Sequence, residues 1–498
     1  MPHQAQVPSS KEVPVTRPIL PSNRSLYYGG AWHLPLAGGS RTCSSPATGE
    51  TYGEVAVGDA DDMEAAIRSA YAAFPEWRDT PPLTRAKALR QIAQVMRDNR
   101  EDLALLDAAE SGNPVAAMIR DVDIAADLLD FFAGLVTEMK GDSIPMGPNA
   151  INFTVREPHG VVGRIVAFNH PLMFCGAKMA APLAAGNTLV LKPAEQAPLS
   201  VLRFIELIEG ILPPGVFNVV NGGAEAGALL ASHPKVAMVG LIGSVPTGRA
   251  VMTGAAATIK PVLLELGGKN ALIACPDADL DKTAAGIIAG MNFAWCGQSC
   301  GSTSRAFVHA DIYDAVLERV VARAGEFIPG DPTDPETTMG AVISRRQYDR
   351  ILKFIEIAKA EGARLIHGGE PAQVWGHPDG NFIQPTIFAD VTPDMTIARE
   401  EIFGPVLSVL KWSEEATLME HVNAVDYGLT CSIWTQDLAR AHRLARLVDA
   451  GFVWVNKSSS HFLGAPFGGV KQSGIGREES LGELLSFTRE KNLHLAFD

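Results

Sequence analysis

The chain has 498 residues, of which 47% are hydrophobic and 20% charged, and its formal net charge is −14. This length exceeds one ordinary hydrophobic core and indicates two or three domains. The negative charge disfavours nucleic acid and anionic membrane surfaces as partners, and six cysteines are too few for a disulfide framework, so we expect a reducing, cytoplasmic location. The sequence shows no apolar leader and no apolar run that approaches the ~18 residues of a membrane span.

The first predicted helices follow a polar, proline-rich N-terminal stretch, residues 1–25, which we expect to be an extended arm. Apolar residues recur at helical spacing in "GDADDMEAAIRSAYAAF", and a second helical run is predicted over 84–108. From residue 160 short apolar strands alternate with helical stretches: "VVGRIVAF", "NTLVLKP", "FNVVNG", "VAMVGLIG" and "PVLLEL". This alternation predicts a parallel sheet with helices on both faces.

A second alternating series follows residue 300. Its predicted strands lie in "STSRAFVH", "PVLSVLKW", "LTCSIWTQ" and "GFVWVN", with a helix near 311–325, and they indicate a second α/β domain. The last segment, "SFTREKNLHLAF", alternates apolar and polar residues like an exposed edge strand, which a folded protein must pair or cover. A partner subunit is one way to cover it.

Two strand ends carry residues suited to a nucleotide. "LVLKPAEQAPLS" ends a strand with Lys192 and Glu195, at the position where open parallel sheets bind ligands. "GSVPTGR" follows a strand and opens a helix, whose free N–H groups suit a phosphate, although it lacks the Lys-Ser/Thr of a P-loop. Taken alone, each motif is more often an ordinary turn than a nucleotide site.

Two further motifs carry groups for proton transfer and nucleophilic attack. "LLELGGKN" places Glu265 at the end of an apolar strand, where burial should raise its pKa and make it a usable base, unless it caps a helix or forms an ion pair. "WCGQSCG" contains Cys296 and Cys300 without the two further ligands that zinc would need, so we expect no metal site. A reactive cysteine needs surroundings that favour the thiolate, and glycines on both sides of 298–300 let backbone amides approach, which favours Cys300 over Cys296. The alternative is that both are ordinary buried thiols, the usual state of free cysteines.

The order of these motifs resembles the NAD(P)-dependent aldehyde dehydrogenase superfamily from about residue 25 to the end. Seven segments carry the match: "FNHPL", "LVLKPAEQAPLS", "GSVPTG", "LELGGKN", "GQSC", "EEIFGPV" and "PFGGVKQSGIGRE". The resemblance implies an α/β fold with a Rossmann-like cofactor domain (26–140 and 159–266) and an α/β catalytic domain (267–470). It also implies a small bridging strand element for oligomerisation (141–158 and 484–498) and a homodimer or homotetramer.

The resemblance further implies the roles of individual residues. Cys300 would be the nucleophile, Glu265 the base that activates water, and Asn169 the side-chain donor to the oxyanion. The cofactor, NAD in preference to NADP, would be held by Lys192, Glu195, Ser244, Gln347, Glu401, Phe403, Val166, Gly227 and Leu266. The small-molecule aldehyde would lie against His170, Phe174, Ala177, Trp295, Ser299 and His461.

The aldehyde pocket departs from that of the family's aliphatic-aldehyde members, which carry large aromatic rings at the positions of His170, Ala177, Ala294 and His461. Two alanines should widen the tunnel and two imidazoles should make it less apolar, while Phe462 should help to keep one wall apolar. This combination favours a ring-bearing or polar-tailed aldehyde, or a semialdehyde. In the alternative, the imidazoles turn outward, bond to backbone carbonyls and do not touch the substrate.

Three other functions remain to be weighed. A non-catalytic NAD-binding relative is disfavoured by the presence of Cys300, Glu265 and Asn169 together, and a CoA-acylating semialdehyde dehydrogenase is disfavoured by Glu265, which that route does not need. A cysteine hydrolase would need a histidine near the thiol, and none follows until His309.

A reversible disulfide between Cys296 and Cys300 would be within reach if the stretch were helical, but a reducing compartment disfavours it.

Overall fold

The structure is a computed structural model that describes residues 17–497. Over these residues it contains 22 strands and 15 helices, numbered here in chain order. The strands are β1 Leu26–Tyr28, β2 Ala31–His33, β3 Ser40–Ser44, β4 Thr51–Ala56, β5 Ser143–Pro145, β6 Ala150–Pro158, β7 Val161–Ile165, β8 Thr188–Lys192, β9 Phe217–Val219, β10 Val236–Gly243, β11 Val262–Leu266, β12 Ala271–Ala274, β13 Arg305–His309, β14 Arg364–His367, β15 Thr386–Ala389, β16 Val406–Trp412, β17 Tyr427–Gly428, β18 Thr430–Trp434, β19 Phe452–Val455, β20 Val470–Lys471, β21 Gly474–Ile475 and β22 Thr488–Ala496. The helices are α1 Ala60–Asp79, α2 Pro82–Asp98, α3 Arg100–Ser111, α4 Val115–Gly134, α5 Pro171–Ala184, α6 Leu199–Ile208, α7 Ala224–Ser232, α8 Val245–Ala256, α9 Leu280–Met291, α10 Tyr313–Ala324, α11 Arg345–Ala360, α12 Thr396–Arg399, α13 Glu415–Asn423, α14 Leu438–Leu447 and α15 Leu481–Ser486.

Eight strands form the first sheet, in the order β2-β1-β9-β8-β7-β10-β11-β21. Its five central strands, β9-β8-β7-β10-β11, pair in parallel, as the alternating pattern predicted. From β7 the chain adds β8 and β9 on one side and then crosses over to add β10 and β11 on the other. The strand order therefore reverses between β7 and β10, and the carboxyl ends of these two strands flank the crevice in which sheets of this kind bind ligands.

Seven strands form the second sheet, in the order β14-β15-β16-β13-β12-β18-β19. All its neighbours pair in parallel except β14 with β15. Strands β12 and β18 are buried along their whole length, because a hydrophobic cluster lies on each face of the sheet. The two parallel sheets confirm the predicted α/β fold.

A small antiparallel sheet, in the order β22-β6-β5, joins the C-terminal strand to the segment before β7. The register of β22 on β6 runs from Thr488 opposite Pro158 to Ala496 opposite Ala150. The predicted C-terminal edge strand thus pairs within its own chain. Its outer edge has no strand neighbour among the described residues, and most of its side chains are exposed.

Two helical predictions differ from the structure. The run predicted over 84–108 is divided into α2 and α3, because Asn99 leaves helical geometry (φ −114°, ψ 21°) and its side-chain amide donates to the Val95 carbonyl over 2.8 Å. Helix α4 was not predicted, yet it packs on α2, α3 and α5 and reaches the cavity described below.

The predicted N-terminal arm lies outside the described residues up to residue 16. Its remaining part, 17–25, contains no helix or strand but is attached to the protein, since the Arg24 guanidinium donates to the Tyr52 carbonyl over 2.6 Å. Within the described part of the chain, no helix is long and apolar enough to cross a membrane.

Candidate active site

A cavity of about 360 Å³ lies where α4 and α5 meet the loops before β13 and after β19. Both Glu265 and Cys300 line it. Glu265 is the fourth residue of β11 and is held from both sides, opposite Ile242 of β10 and Gly474 of β21. Cys300 lies in the loop between the 3₁₀ turn Phe293–Trp295 and β13. The base and the nucleophile predicted from the sequence therefore share one cavity.

The loop that carries Cys300 is fixed by backbone geometry and by one asparagine. Gly297 adopts φ 66°, and a Cβ on it would lie 2.1 Å from the Gly404 carbonyl oxygen, so no larger residue fits there. The Asn270 side-chain amide donates to the Cys300 carbonyl over 2.7 Å. Cys296 is itself left-handed, with φ 53°, so the two cysteines are not one helical turn apart as the disulfide hypothesis supposed. Both thiols are free, and Cys296 belongs to a buried hydrophobic cluster.

The electrostatics of the pair differ in part from the prediction. Burial raises the pKa of Glu265 to about 8, as expected, and its Oε1 atom has no hydrogen-bond partner among the described residues. Burial and then the neighbouring Glu265 raise the pKa of the Cys300 thiol well above its usual value. The expectation of a thiolate-favouring environment is therefore wrong for the protein without ligands: the Gly301 backbone N–H acts in that direction, but burial outweighs it. Burial thus raises the pKa of both groups, and the pKa of Glu265, about 8, is the one that lies near neutrality.

Asn169, the predicted oxyanion donor, follows β7 in the crevice. It is buried, and its backbone carbonyl accepts a hydrogen bond from the Asn113 side chain over 3.0 Å. The cavity is lined by its neighbour His170 and not by Asn169 itself. Asn169 itself follows the carboxyl end of β7, where the strand order reverses.

The predicted residues for the adenosine half of a dinucleotide lie together at the carboxyl end of β8. Lys192 is buried, which lowers its pKa, and its carbonyl accepts a hydrogen bond from the Val166 N–H over 3.1 Å. Gly227 packs beside the Lys192 side chain, where an added Cβ would lie in ordinary contact at 3.5 Å. Glu195 is partly exposed, and its carboxylate lies 3.5 Å from the Arg41 guanidinium. Arg41 comes from the β3–β4 hairpin, and no sequence signal had associated it with this site.

Ser244 and Leu266 lie at the ends of the next two strands. The 12-residue helix α8 begins after β10, as the motif predicted, and the Ser244 hydroxyl caps it by accepting a hydrogen bond from the Thr247 N–H. Leu266 is buried, and its N–H donates to the Ser473 carbonyl over 3.0 Å. The open N-terminus of α8 thus points into the crevice beside β10.

The predicted nicotinamide-side residues, Glu401 and Phe403, lie in a loop that hydrogen bonds hold in place. The Glu401 carboxylate accepts from the Gly268 N–H over 3.0 Å, and burial raises its pKa to about 7. The Gln347 amide donates to the Phe403 carbonyl over 2.8 Å, so its side chain holds this loop in place. Phe403 adopts φ 56° and packs edge-on against Phe168, with ring centroids 5.7 Å apart.

All six residues predicted to contact the aldehyde line the cavity: His170, Phe174, Ala177, Trp295, Ser299 and His461. Ala294 and Phe462 do not line the cavity. Phe462 is exposed to solvent, and Leu463 lies at the cavity wall in its place. Neither imidazole turns to a backbone carbonyl. Nδ1 of His170 donates to Asp121 over 2.6 Å, and Nδ1 of His461 donates to Glu479 over 2.9 Å.

Sequence reasoning missed a buried ion cluster beside Glu265. The Glu478 carboxylate bonds to the Arg164 guanidinium over 2.7 Å and to the Lys178 ammonium over 2.8 Å. These two cations hold the pKa of Glu478 well below its usual range despite burial. Arg164 and Glu478 lie in segments quoted above but are 314 residues apart, so neither segment by itself indicates that they pair. In the described range, no group of three or more His, Cys, Asp and Glu side chains is arranged to hold a metal ion.

Comparison with known proteins identifies the family. The sequence model of the aldehyde dehydrogenase family matches residues 37–493. The chain is 50% identical to aldehyde dehydrogenase tropH of Talaromyces stipitatus over 97% of this chain and 95% of that protein. It is 43% identical to betaine aldehyde dehydrogenase of Sinorhizobium fredii over 90% and 92% of the two chains. The NAD⁺ complex of aldehyde dehydrogenase from Bacillus cereus superposes with a TM-score of 0.93 at 37% identity, covering 96% of this chain and 97% of that one. The chain belongs to the aldehyde dehydrogenase family and is an enzyme of that class.

Proposed function

We propose that this enzyme oxidises an aldehyde to a carboxylic acid, with NAD as the hydride acceptor, through a thioester on Cys300. The adjacency of Cys300 and Glu265 in one cavity, beside the crevice of the first sheet, is the observation that carries the proposal. Glu265 lies next to the Cys300 thiol and its pKa is raised. It is therefore suited to accept the thiol proton as sulfur adds to the aldehyde carbon.

The tetrahedral adduct places a negative charge on oxygen, and we assign its donors to the Asn169 amide and the Cys300 backbone N–H. Loss of hydride from the carbon restores the carbonyl as a thioester. Glu265 releases the thiol proton to solvent and then removes a proton from water. The water oxygen adds to the thioester carbon, the carbon–sulfur bond breaks, and Glu265 returns the proton to sulfur to give the acid and free enzyme. The unpaired Oε1 atom of Glu265 is available for that water.

The residues present fit a dinucleotide. We assign Lys192 and Glu195 to the adenosine ribose, the capped N-terminus of α8 to the pyrophosphate, and Glu401 to the nicotinamide ribose. When bound, NAD supplies the nicotinamide ring that accepts the hydride. NAD is preferred to NADP because the Glu195 carboxylate repels a 2′-phosphate. Ser244, Gln347 and Phe403 hold the cofactor's surroundings in place, and Val166, Gly227 and Leu266 form its apolar walls.

The substrate is a ring-bearing or polar-tailed aldehyde or semialdehyde. Aromatic side chains, among them Phe174, Trp295 and Trp454, line a cavity large enough for a ring, and two imidazoles add polar atoms to it.

Residues 26–140 and 159–266 make up the cofactor domain, 267–470 the catalytic domain, and 141–158 with 484–498 the bridging element of a homo-oligomer in the cytoplasm. A CoA-acylating enzyme and a non-catalytic NAD-binding relative are the alternatives.

The test is a pair of cysteine variants assayed with benzaldehyde and NAD, without coenzyme A. Cys300→Ala should lower NADH production below about one-thousandth of the wild-type rate, because the nucleophile is lost, while NAD binding stays within about threefold. Cys296→Ala, a matched loss of a nearby thiol, should keep most activity. Appreciable turnover by Cys300→Ala, or a wild-type requirement for coenzyme A, would contradict the proposal.

A further inference from the structure

Two histidine–carboxylate pairs line the cavity, formed by His170 with Asp121 and by His461 with Glu479. A carboxylate acceptor fixes the tautomer in which Nδ1 carries the proton. Neither Nε2 atom has a hydrogen-bond partner among the described residues. Each ring therefore offers the cavity one fixed polar atom that the reaction at Cys300 does not use.

The His170 pair is the more firmly held of the two. The His170 side chain is 15% exposed and that of Asp121 is 2% exposed, whereas the His461 side chain is 44% exposed. The His170 ring also contacts Phe174 edge-on, with centroids 5.3 Å apart, and lies 5.7 Å from the Trp295 ring. A buried carboxylate and two aromatic rings thus set the direction of Nε2, and a partner bound there must lie against those rings.

The charges around the cavity restrict the chemistry of that partner. Five carboxyl groups line it: Asp121, Asp127, Glu265, Glu478 and Glu479. The one lining ammonium, on Lys178, is already bound to Glu478. A carboxylate tail placed next to His170 would therefore lie beside the Asp121 charge without a free cation among the lining residues.

A cationic tail is disfavoured by a different contact. The Arg120 guanidinium does not line the cavity, but it lies 5.5 Å from the centre of the Trp295 ring, so its positive charge opposes a quaternary ammonium held against that ring. A hydroxyl group avoids both conflicts. It donates to a neutral Nε2 and accepts from a protonated one, so it satisfies His170 in either state.

We propose that the substrate is a planar aldehyde whose ring carries a hydroxyl group, and that His170 Nε2 binds this hydroxyl while the aldehyde carbon lies at Cys300. The ring then lies against Phe174 and Trp295. His170 is a specificity-determining residue, and Asp121 is a positioning residue that acts through it. This inference rests on the proposed aldehyde oxidation.

The test compares 4-hydroxybenzaldehyde with benzaldehyde by their kcat/KM values with NAD. The wild type should prefer the hydroxylated ring, and His170→Phe should lower its kcat/KM about tenfold while changing that of benzaldehyde less than about threefold, because only the first loses a hydrogen bond. Phe174→Leu is the matched control: it removes ring contact without a polar group and should affect both substrates alike. An unchanged ratio, or equal losses on both substrates in His170→Phe, would overturn the inference.

Two further measurements keep the test decisive. Asp121→Asn retains the side-chain shape, and it should lower the same ratio by about threefold even if His170→Phe does not fold. Betaine aldehyde should show a kcat/KM at least about tenfold below that of 4-hydroxybenzaldehyde, and the reverse order would contradict the inference. If the wild type oxidises benzaldehyde with no preference for the hydroxylated ring, this inference alone fails; if it oxidises no aldehyde, the proposed function fails.

Discussion

At the scale of single residues, the site depends on where one proton resides. Glu265 has a pKa raised to about 8 and lies beside a thiol whose pKa is also raised, so the base is largely protonated below pH 7. A base works only when deprotonated, so kcat should rise between pH 6.5 and pH 9 with an apparent pKa near 8. This rise should be absent in Glu265→Gln. A flat wild-type profile over that range would contradict the assignment of the base.

Glu265→Gln also separates the two half-reactions. At about pH 9 bulk hydroxide can deprotonate the Cys300 thiol, so the variant should form one equivalent of NADH per active site and then stall, because thioester hydrolysis still lacks its base. At pH 7 even this first equivalent should form slowly. Rapid-mixing absorbance at 340 nm measures both phases, and steady turnover at the wild-type rate would refute the role of Glu265 in hydrolysis.

We expect cofactor choice to depend on two opposite charges that meet near the end of β8, Glu195 and Arg41 of β3. Glu195 repels a 2′-phosphate, whereas Arg41, 3.5 Å away, would attract one. The wild type should prefer NAD by kcat/KM, Glu195→Ala should narrow the preference by raising NADP use, and Arg41→Ala should widen it. Comparable kcat/KM values for the two cofactors in the wild type would show that Arg41 and Lys192 outweigh Glu195.

The sequence offered candidate residues in short local motifs and missed residues that come together with them only in three dimensions. Glu265 and Lys192 lie at the ends of strands and Cys300 lies in a glycine-bracketed loop, all in recognisable segments, so their positions could be predicted. Asp121 and Arg41 could not, because one lies on a helix that was not predicted and the other on a hairpin remote from the motif it contacts. The pKa of Cys300 was also misjudged, since it depends on burial and on Glu265, which local sequence does not express.

At the scale of elements, β11 positions the base because β10 and β21 hold it from both sides. Gly474 of β21 adopts φ 140°, and a Cβ there would lie 2.0 Å from the Leu264 carbonyl oxygen and 3.5 Å from the Glu265 Cα. Gly474→Ala should therefore displace β21 or β11, lower the free energy of unfolding by about 2 kcal/mol or more, and reduce kcat.

The matched control is Gly134→Ala at the end of α4, where an added Cβ meets no atom within 4 Å. This variant should keep both stability and activity, because alanine is favoured over glycine in a helix. Urea denaturation and steady-state kinetics measure the two effects. Wild-type stability in Gly474→Ala would show that β21 yields without moving Glu265.

The prediction of elements succeeded where each apolar run corresponds to one strand. It failed where one apolar period continues through two consecutive helices. The five central strands of the first sheet were each visible as short apolar runs before a turn. The 84–108 run was predicted as one helix because the apolar period continues across Asn99, and only the local bond of its side chain to Val95 shows the break.

At the scale of the whole molecule, the three-stranded sheet combines an unpaired strand edge with exposed apolar side chains. The outer edge of β22 is unpaired in the described chain, and the sheet and its connections expose large apolar side chains: Ile144, Met146, Ile151, Leu495 and Phe497. Exposed edges and apolar patches favour association, so we expect a homo-oligomer assembled through this sheet.

The mass in solution tests that expectation. Ile151 and Leu495 lie directly opposite each other on β6 and β22, so the double variant Ile151→Lys, Leu495→Lys places two like charges side by side on the exposed sheet, near the end of the strand pair. Light scattering after gel filtration should give at least twice the 53.0 kDa chain mass for the wild type and the single chain mass for the double variant. Leu83→Lys, at an exposed leucine of α2 outside this sheet, should leave the mass unchanged, because it adds one charge without touching the strand face. A monomeric wild type, or a folded double variant that keeps the oligomer mass, would show that the sheet edge is not the interface.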